Sequence, residues 1–270
     1  MTQTTMFNRL PLILAIMGAF LLSATGVYLF RDKGGAAEAS AQDASGDAAK
    51  AAAAAGMNAD DRKATEAIVR AYILEHPEIL QEAAAVLQRR ETSSNLASAG
   101  DQLHTPFAGA QAGNPAGDVT VVEFSDYNCG FCRSSVADVA RLVRDDKGIK
   151  LIYREVPILA PSSKDAALWA LAAAKQGKHA AFHSAMFSGG RPDAATIRAA
   201  AIRAGMDLAT AENFIKTKEA VGELQNNVAM MRQTGFSGTP TFIIGDQIIE
   251  GALGHDALKA AVAKARKNKV

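Results

Sequence analysis

Residues 117–132 read GDVTVVEFSDYNCGFC and hold the most informative pattern in the chain. Val119–Phe124 is short, rich in β-branched residues and bounded by polar turn residues, which indicates a buried β-strand. Cys129 and Cys132 follow directly, at the start of a helical pattern. A Cys-x-x-Cys sequence at a strand-to-helix turn is typical of thiol–disulfide exchange. These two cysteines are therefore the first candidates for chemistry.

The position of the pair at a helix start gives the two sulfurs different tasks. The first sulfur faces unsatisfied backbone N–H groups and the positive end of the helix dipole, which favours the thiolate. A thiolate attacks a disulfide and forms a mixed disulfide. We therefore expect Cys129 to attack the substrate, and Cys132, one turn further on and more buried, to resolve the mixed disulfide.

Other uses of the pair are possible on the residues alone. Cys129 and Cys132 could form half of a zinc site with His179 and His183, which lie four residues apart on a predicted helix. They could also be inert thiols or a structural disulfide, although so short a loop makes a weak cross-link. Because the cysteines follow a hydrophobic strand, we predict no metal and no cofactor. The remaining histidines, His76, His104 and His255, are expected at the surface.

The elements after the cysteines predict an α/β domain with helices inserted between its halves. A second strand is followed by a long alanine-rich helical region with aromatic packing residues, then by a hairpin and a last helix. The ranges are Ile149–Val156 for the strand, Ser163–Met231 for the helical region, Thr241–Ile244 and Gln247–Glu250 for the hairpin strands around Gly245-Asp246, and His255–Lys267 for the last helix.

An uncharged, mostly apolar segment, Leu10–Phe30, lies near the N-terminus between Arg9 and the charged residues 31–33. Roughly 20 apolar residues span a bilayer. We expect residues 1–35 to be an uncleaved signal anchor, with a cleaved signal peptide as the alternative. Residues 36–57 form a low-complexity, alanine-rich tract, which we interpret as a linker between membrane and folded region.

Two short helices are predicted in residues 58–95. The first has Asp60 or Asp61 as its N-cap and carries an apolar face with Ile68 and Tyr72. The second begins at Pro77 and ends near Arg89-Arg90, and a loop-rich stretch follows from residue 95 to 117. Neither helix has an obvious core of its own. Self-association between copies of the chain is the favoured interpretation, with docking on the main domain (residues 96–270) as the alternative.

The charge balance excludes one class of partner. The chain has 270 residues and a formal net charge of +1. Binding of nucleic acid through phosphates needs a basic face, which this balance does not indicate. Dithiol chemistry fits an oxidising exterior, so we place the bulk of the chain outside the cytoplasm, in the periplasm, held to the inner membrane by its N-terminal segment.

Three blocks together resemble a known family. GDVTVVEFSDYNCGFC, then REVPIL, then GFSGTPTFIIG are similar to the DsbA-like thioredoxin-fold family of exported thiol–disulfide oxidoreductases, over about residues 108–270. Residues 60–91 resemble the N-terminal segment of the ScsC-like branch, in which such helices assemble the subunits. The resemblance implies a thioredoxin fold with a helical domain inserted at about 162–234, preceded by a helical segment and a signal anchor.

The resemblance also implies roles for single residues. Cys129 matches the nucleophile, Cys132 the resolving cysteine and Pro240 the cis-proline beside the sulfurs. A cis bond there leaves the carbonyl and N–H of Thr239 free to pair with an extended substrate. Glu123 matches a buried carboxylate that exchanges protons with Cys132, or else a paired structural carboxylate. For His183 we expect only packing.

The residues between the cysteines bear on the direction of the reaction. Gly130 and Phe131, expected to contact substrate, replace the Pro-His pair of the oxidising DsbA proper. Glycine with an aromatic residue, and threonine before the proline, resemble the isomerase and reductase branches. We expect an isomerase or reductase that acts on exported proteins with cysteines and has a membrane redox partner. A dithiol oxidase, and a membrane-tethered peptide-binding scaffold without turnover, are the alternatives.

Overall fold

The computed structural model describes residues 46–268. The chain divides into two compact units, Met1–Glu82 and Ala83–Val270. The expected signal segment, residues 1–35, and residues 36–45 of the expected linker lie outside the described residues. Among residues 46–268, no helix combines the length and the apolar character needed to cross a bilayer.

The first unit is helical. Helix α1 covers residues 46–54, so this part of the expected linker is helical. Helix α2 (Ala59–Glu75) begins two or three residues earlier than the predicted cap at Asp60 or Asp61 implies. Its N-cap is Asn58, whose side chain accepts hydrogen bonds from the N–H groups of Asp60 and Asp61, and the Asp61 carboxylate accepts from the Asn58 N–H in return. This reciprocal capping fixes the helix start.

The apolar face predicted for α2 is present and unpaired. None of its residues is buried. Ile68 and Leu74 are each 67% exposed, and Tyr72 is 54% exposed. Within the described chain, this helix therefore has no core to stabilise it.

Helix α3 (Glu78–His104) is longer than predicted. It passes through Arg89-Arg90, bends at Gly100 (φ 55°, ψ −148°), and buries Ala99 and Leu103 in its last turn. The predicted end at Arg89-Arg90 and the predicted loop from residue 95 were therefore wrong. The sequence alone does not indicate this longer helix, because Ala99 and Leu103 gain packing partners only in the folded domain. The expected domain boundary at 95/96 falls inside this helix.

Within residues 46–268, five strands form one sheet in the order β1-β3-β2-β4-β5. Strands β2 and β3 are parallel, and the other neighbouring pairs are antiparallel. The bounds are Gln111–Gly113 (β1), Val119–Ser125 (β2), Ile149–Glu155 (β3), Thr241–Ile244 (β4) and Gln247–Glu250 (β5). Four of these strands were predicted. Strand β1 lies in the predicted loop and was missed.

Both faces of the sheet are covered. Helices α4 (Gly130–Asp145) and α10 (His255–Lys267) pack on the face that carries Val121 and Phe242. The last turn of α3 packs on the opposite face, against Phe124. Because side chains alternate along a strand, the odd-numbered residues of β2 face α4. This alternation places Glu123, two residues after Val121, on the side of the sheet that α4 covers.

Between β3 and β4 the chain forms five helices, where we predicted one long helical region. They are α5 (Pro161–Lys175), α6 (His179–Ser188), α7 (Ala194–Arg203), α8 (Leu208–Phe214) and α9 (Lys218–Thr234). Phe182 and Phe187 are buried among the alanines of this insertion. The same hydrophobic cluster includes Tyr127, Cys129 and Cys132, so the insertion packs directly behind the dithiol.

Candidate active site

Cys129 is the N-cap residue of α4. Its sulfur accepts a hydrogen bond from the backbone N–H of Cys132 at 3.2 Å. The unsatisfied N–H groups of the first helical turn point toward a side chain in this position, and such groups stabilise negative charge. Both cysteines are free thiols. Cys129 is 6% exposed and Cys132 is completely buried, so a substrate sulfur reaches Cys129 first.

Cys132 holds its proton strongly. Burial raises the pKa of its thiol well above the usual range, and the neighbouring Cys129 raises it further. Thiolate is the reactive form, so Cys132 needs a proton acceptor before it can attack.

Glu123 lies on the same face of the sheet and is 1% exposed. Burial, followed by the nearby Glu155 carboxyl, raises the pKa of Glu123 to about 8. Its Oε2 atom has no hydrogen-bond partner among the described residues. The burial expected from the resemblance is therefore present, and a carboxyl of this acidity gains or loses a proton near neutral pH.

The Thr239–Pro240 peptide bond is cis, as expected from the resemblance. The expectation that the Thr239 carbonyl is free was wrong for this state, because its oxygen accepts the Cys129 thiol proton, with sulfur and oxygen 3.1 Å apart. Loss of that proton from Cys129 releases the carbonyl. Thiol ionisation and the availability of Thr239 to a substrate chain are therefore linked.

Asp126, which the sequence analysis did not single out, holds the loop before Cys129. Its buried carboxylate accepts hydrogen bonds from the N–H groups of Asn128 (2.8 Å), Ile158 (2.9 Å) and Leu159 (3.0 Å). The bond from the Asn128 N–H makes an Asx turn, in which an aspartate side chain accepts from the N–H two residues further on. An aspartate just after a strand is a sequence signal for such a turn. The carboxylate thereby joins the active-site loop to the loop after β3.

Three exposed apolar side chains lie on segments that are joined to the active-site backbone. Phe131, between the cysteines, is 68% exposed, and Leu159, held by Asp126, is 54% exposed. Leu253 is 62% exposed in the loop after β5, where the Gly251 N–H donates to the Pro240 carbonyl at 2.8 Å. We call Phe131, Leu159 and Leu253 the apolar rim. Gly130 is also exposed, and a side chain built on it would contact nothing within 4 Å.

A buried polar cluster lies behind the loop and was not predicted. The Tyr127 hydroxyl lies 3.1 Å from Glu155 Oε1 and 3.2 Å from His183 Nδ1, and His179 Nε2 lies 2.9 Å from the same Glu155 oxygen. The expectation that His183 only packs was therefore wrong. His255, expected at the surface, is 9% exposed, because it begins α10 against the sheet.

The cluster contains the donors that a metal would use. Glu155, His179 and His183 offer three ligand atoms within 4.8 Å of one another. Neither cysteine belongs to this group, so a zinc site made by both cysteines and both histidines is not formed. The same atoms already pair with each other and with Tyr127 through hydrogen bonds.

Comparison with known protein families identifies the same two segments that the sequence resemblance identified. A thioredoxin family model matches residues 108–264, and the model of the copper resistance protein ScsC N-terminal domain matches residues 61–92. These ranges agree closely with the two segments that carried the resemblance.

Several solved structures are similar to the chain. A thioredoxin-like oxidoreductase from Silicibacter pomeroyi is 39% identical, covers 62% of this chain and 98% of its own, and superposes with a TM-score of 0.60. A linker-deletion mutant of Proteus mirabilis ScsC is 28% identical, with 79% and 98% covered and a TM-score of 0.63. The thiol-disulfide exchange protein α-DsbA2 from Wolbachia pipientis is 31% identical, with 66% and 97% covered and a TM-score of 0.62.

The curated relatives are larger proteins. Over 152 residues the chain is 30% identical to Na(+)/H(+) antiporter NhaA 3 of Salinispora tropica, of which it spans 23%. The matched thioredoxin region exceeds half of this chain, and the reactive pair lies inside it. The chain therefore belongs to the thioredoxin family, among the thiol–disulfide oxidoreductases of the ScsC and DsbA type.

Proposed function

We propose that this protein isomerises or reduces disulfides in exported proteins. The observation that carries the proposal is the Cys129 sulfur at the N-cap of α4, where it accepts the Cys132 N–H and contacts the Thr239 carbonyl. This geometry supports a stabilised thiolate beside a backbone segment that an extended client can pair with. The unpaired apolar face of α2 favours isomerisation over a single-site reaction.

The reaction starts from the reduced dithiol. The Cys129 thiolate attacks one sulfur of a client disulfide, the client S–S bond breaks, and the other client sulfur leaves as a thiolate. In isomerisation, that client thiolate attacks another client disulfide and releases a new client thiolate. A later client thiolate attacks the client sulfur that is bonded to Cys129, and Cys129 leaves as the thiolate with which it began. In reduction, the Glu123 carboxylate takes the Cys132 proton and the Cys132 thiolate attacks the Cys129 sulfur. The bond between Cys129 and the client breaks, and the client thiolates that have been released take up protons. The client then gains two electrons and the pair becomes a disulfide.

The apolar rim supports binding of unfolded clients. Phe131 lies in the first turn of α4, whereas Leu159 and Leu253 lie on two loops that hydrogen bonds join to Asp126 and to Pro240. Unfolded chains expose apolar side chains that folded proteins bury. The released Thr239 carbonyl would accept a client backbone N–H next to the disulfide. Gly130, exposed beside Cys129, would offer its backbone to the same client.

Assembly of several copies is the second part of the proposal. α2 exposes Ile68, Tyr72 and Leu74, and the first turns of α3 expose Leu80 and Leu87, at 58% each. A second copy of the chain would cover these faces. Several dithiols held around one client raise the effective concentration of each, which assists repeated exchange. Residues 1–35 would hold this assembly at the inner membrane, facing the periplasm, near a membrane redox partner.

Refolding of a scrambled multi-disulfide protein by the reduced chain tests the direction. We expect recovery of native activity in the client, measured beside oxidation of a reduced dithiol peptide by the disulfide form. A dithiol oxidase is the second candidate, because the Cys132 N–H stabilises the reduced state and so favours an oxidising disulfide. Fast peptide oxidation without any refolding would replace our proposal with this candidate.

A binding scaffold without turnover requires a separate test. In a Cys132→Ala variant, a client attacked by Cys129 remains attached because nothing resolves it. We expect mixed disulfides on non-reducing gels, and none in the matched Cys129→Ala variant. Clients held equally by both variants, with no covalent adduct, would favour the scaffold.

A further inference from the structure

The hydrogen bonds of the buried polar cluster connect the helical insertion to the active-site loop. Tyr127 lies in the loop between β2 and α4, and His179 and His183 lie on α6. One oxygen of Glu155, at the end of β3, contacts both Tyr127 and His179, and the Tyr127 hydroxyl contacts His183. All four side chains are at most 5% exposed. Three separate elements therefore meet at the Tyr127 hydroxyl and the Glu155 carboxyl.

Both histidines are neutral at physiological pH. Burial lowers the pKa of His179 to about 3 and that of His183 well below its usual range. Each ring therefore carries one N–H. His179 can donate from Nε2 to Glu155, and His183 can either donate to the Tyr127 oxygen or accept from its hydroxyl.

Two proton arrangements satisfy these contacts. With Glu155 ionised, His183 donates to the Tyr127 oxygen and the Tyr127 hydroxyl donates to Glu155. With Glu155 protonated, the carboxyl donates to the Tyr127 oxygen and the hydroxyl donates to His183. Tyr127 keeps two partners in both arrangements, so its hydroxyl stays fixed whichever charge state Glu155 has.

A fixed Tyr127 restrains the cysteine that follows it. The Cys129 N–H donates to the Asp126 carbonyl at 2.9 Å, so residues 126–129 form a closed turn. The Tyr127 ring packs edge-on against Phe182 and lies 4.9 Å from the Phe187 ring, both from α6. The Asp126 carboxylate holds this turn through Ile158 and Leu159, and the Tyr127 hydroxyl holds it through Glu155 and His183.

We propose that Tyr127 is a positioning residue for Cys129: its hydroxyl, held by Glu155 and His183, keeps the Cys129 sulfur at the N-cap of α4. The inference rests on the proposed role of Cys129 as nucleophile, but not on the direction of the reaction. The helical insertion thereby supports the reactivity of a sulfur that it does not itself carry. A looser turn would weaken the contact between the Cys132 N–H and the Cys129 sulfur, which stabilises the thiolate.

The sign of the effect follows from that contact. Thiolate stabilisation favours the reduced pair, so its loss shifts the equilibrium with glutathione toward the protein disulfide. It also slows alkylation of Cys129, because the thiolate is the species that reacts. An electrostatic effect of Glu155 would act in the opposite direction, since removal of a nearby negative charge favours a thiolate.

The test compares Tyr127→Phe with Tyr153→Phe in the full chain. Both changes delete one hydroxyl from a ring that contacts His183, but Tyr153 makes no side-chain hydrogen bond with any described residue. We measure the rate of Cys129 alkylation by iodoacetamide at pH 7 and the glutathione equilibrium. Tyr127→Phe should lower the alkylation rate and the equilibrium constant for the dithiol form about fivefold each, the factor that one net hydrogen bond corresponds to. Tyr153→Phe should leave both within about twofold.

A second pair of variants, at Glu155, separates the positioning of Tyr127 from the effect of the Glu155 charge. This pair also tests the inference if Tyr127→Phe does not fold. Glu155→Ala removes the acceptor, whereas the amide oxygen of Glu155→Gln still accepts the Tyr127 hydroxyl. We expect Glu155→Ala to slow alkylation and Glu155→Gln to recover most of the rate. Equal effects of Ala and Gln, or unchanged alkylation in Tyr127→Phe, would overturn the inference. A chain with normal alkylation that fails to refold scrambled clients would instead contradict the proposed isomerase function.

Discussion

Helix α2 and strand β2 carry similar apolar residues and use them in opposite ways. No residue of α2 is buried, whereas all of β2 except Thr120 is buried. The strand has neighbours on both edges and helices on both faces, so each apolar side chain loses contact with water. Helix α2 has the apolar pattern, but within the described residues no other element buries its side chains. Apolar periodicity therefore predicts a surface that must be covered, and the fold decides whether the same chain covers it.

The largest expected effect separates chemistry from stability. Cys129→Ser replaces the attacking sulfur by a hydroxyl that does not ionise near neutral pH, so disulfide exchange should be lost completely. The free energy of unfolding should change by less than about 1 kcal/mol, because the side chains are similar in size. Refolding assays and thermal melts measure both, with Ser134→Ala on the same helix as control. Residual exchange in Cys129→Ser would show that Cys132 acts alone.

Matched deletions of apolar side chains test the contrast between the two regions directly. Phe242→Ala, in fully buried β4, should lower the free energy of unfolding by about 3–5 kcal/mol. Leu80→Ala, at a side chain that is 58% exposed, should not lower it in dilute solution but should weaken association of the chains. Denaturant melts and sedimentation measure the two effects. A large loss from Leu80→Ala in a monomeric sample would contradict the comparison.

Removal of the N-terminal unit tests whether the second unit is self-sufficient. A chain that begins at Ala83 keeps Leu96, Ala99 and Leu103, which pack in the core, and loses the exposed face of α2. Its mass in solution should be that of one chain, and Cys129 should still react with a small disulfide at an unchanged rate. Refolding of scrambled clients should fall about tenfold or more, because effective concentration is lost. Full refolding activity would remove the argument for assembly.

The pH dependence of stability should differ between the regions. The pKa of Glu123 is about 8 in the fold against its usual 4.5, so folding favours the protonated form. This contribution is complete below about pH 4.5 and is lost as the pH rises through about 8. Glu123→Gln should therefore reduce the loss of stability between pH 5 and pH 8.5, whereas Glu82→Gln in α3 should not. Identical slopes in thermal melts of the three proteins would contradict the burial argument.

The smallest expected effect concerns the residue between the cysteines. Phe131 is 68% exposed, so Phe131→His should fold normally. An imidazole next to the N-cap sulfur should stabilise the thiolate and shift the glutathione equilibrium toward the dithiol by about threefold to tenfold. Phe131→Leu keeps the apolar rim and serves as control. Equal equilibria in the two variants would show that this position does not set the redox direction.

Local patterns predicted the elements whose partners are also local. The strand before Cys129, the hairpin at Gly245-Asp246 and the final helix were confirmed, because alternation and turn residues specify them directly. The end of α3 was missed since Ala99 and Leu103 become core only when the sheet lies beside them. Strand β1 was missed because three residues, among them a glycine, carry too little pattern.

The active site shows the same division. The cysteine pair and the Thr239-Pro240 turn stand out in the sequence through residue type and spacing. The cluster of Tyr127, Glu155, His179 and His183 does not, because its members lie on three elements and each is ordinary in its own segment. Such a set becomes visible only when the strands and α6 are placed in space. Thr239 O as the acceptor of the thiol proton is likewise a result of tertiary contact.

The short outer strands have a consequence for a protein that handles unfolded chains. β1 has three residues and β5 has four, and they form the two borders of the sheet. A long, flat border offers unpaired N–H and carbonyl groups to any extended polypeptide, and so invites aggregation. These borders offer little of either. An extended client therefore has few unpaired backbone groups to bind along the borders of the sheet. The Thr239 segment beside the sulfur is then the favoured site for backbone pairing.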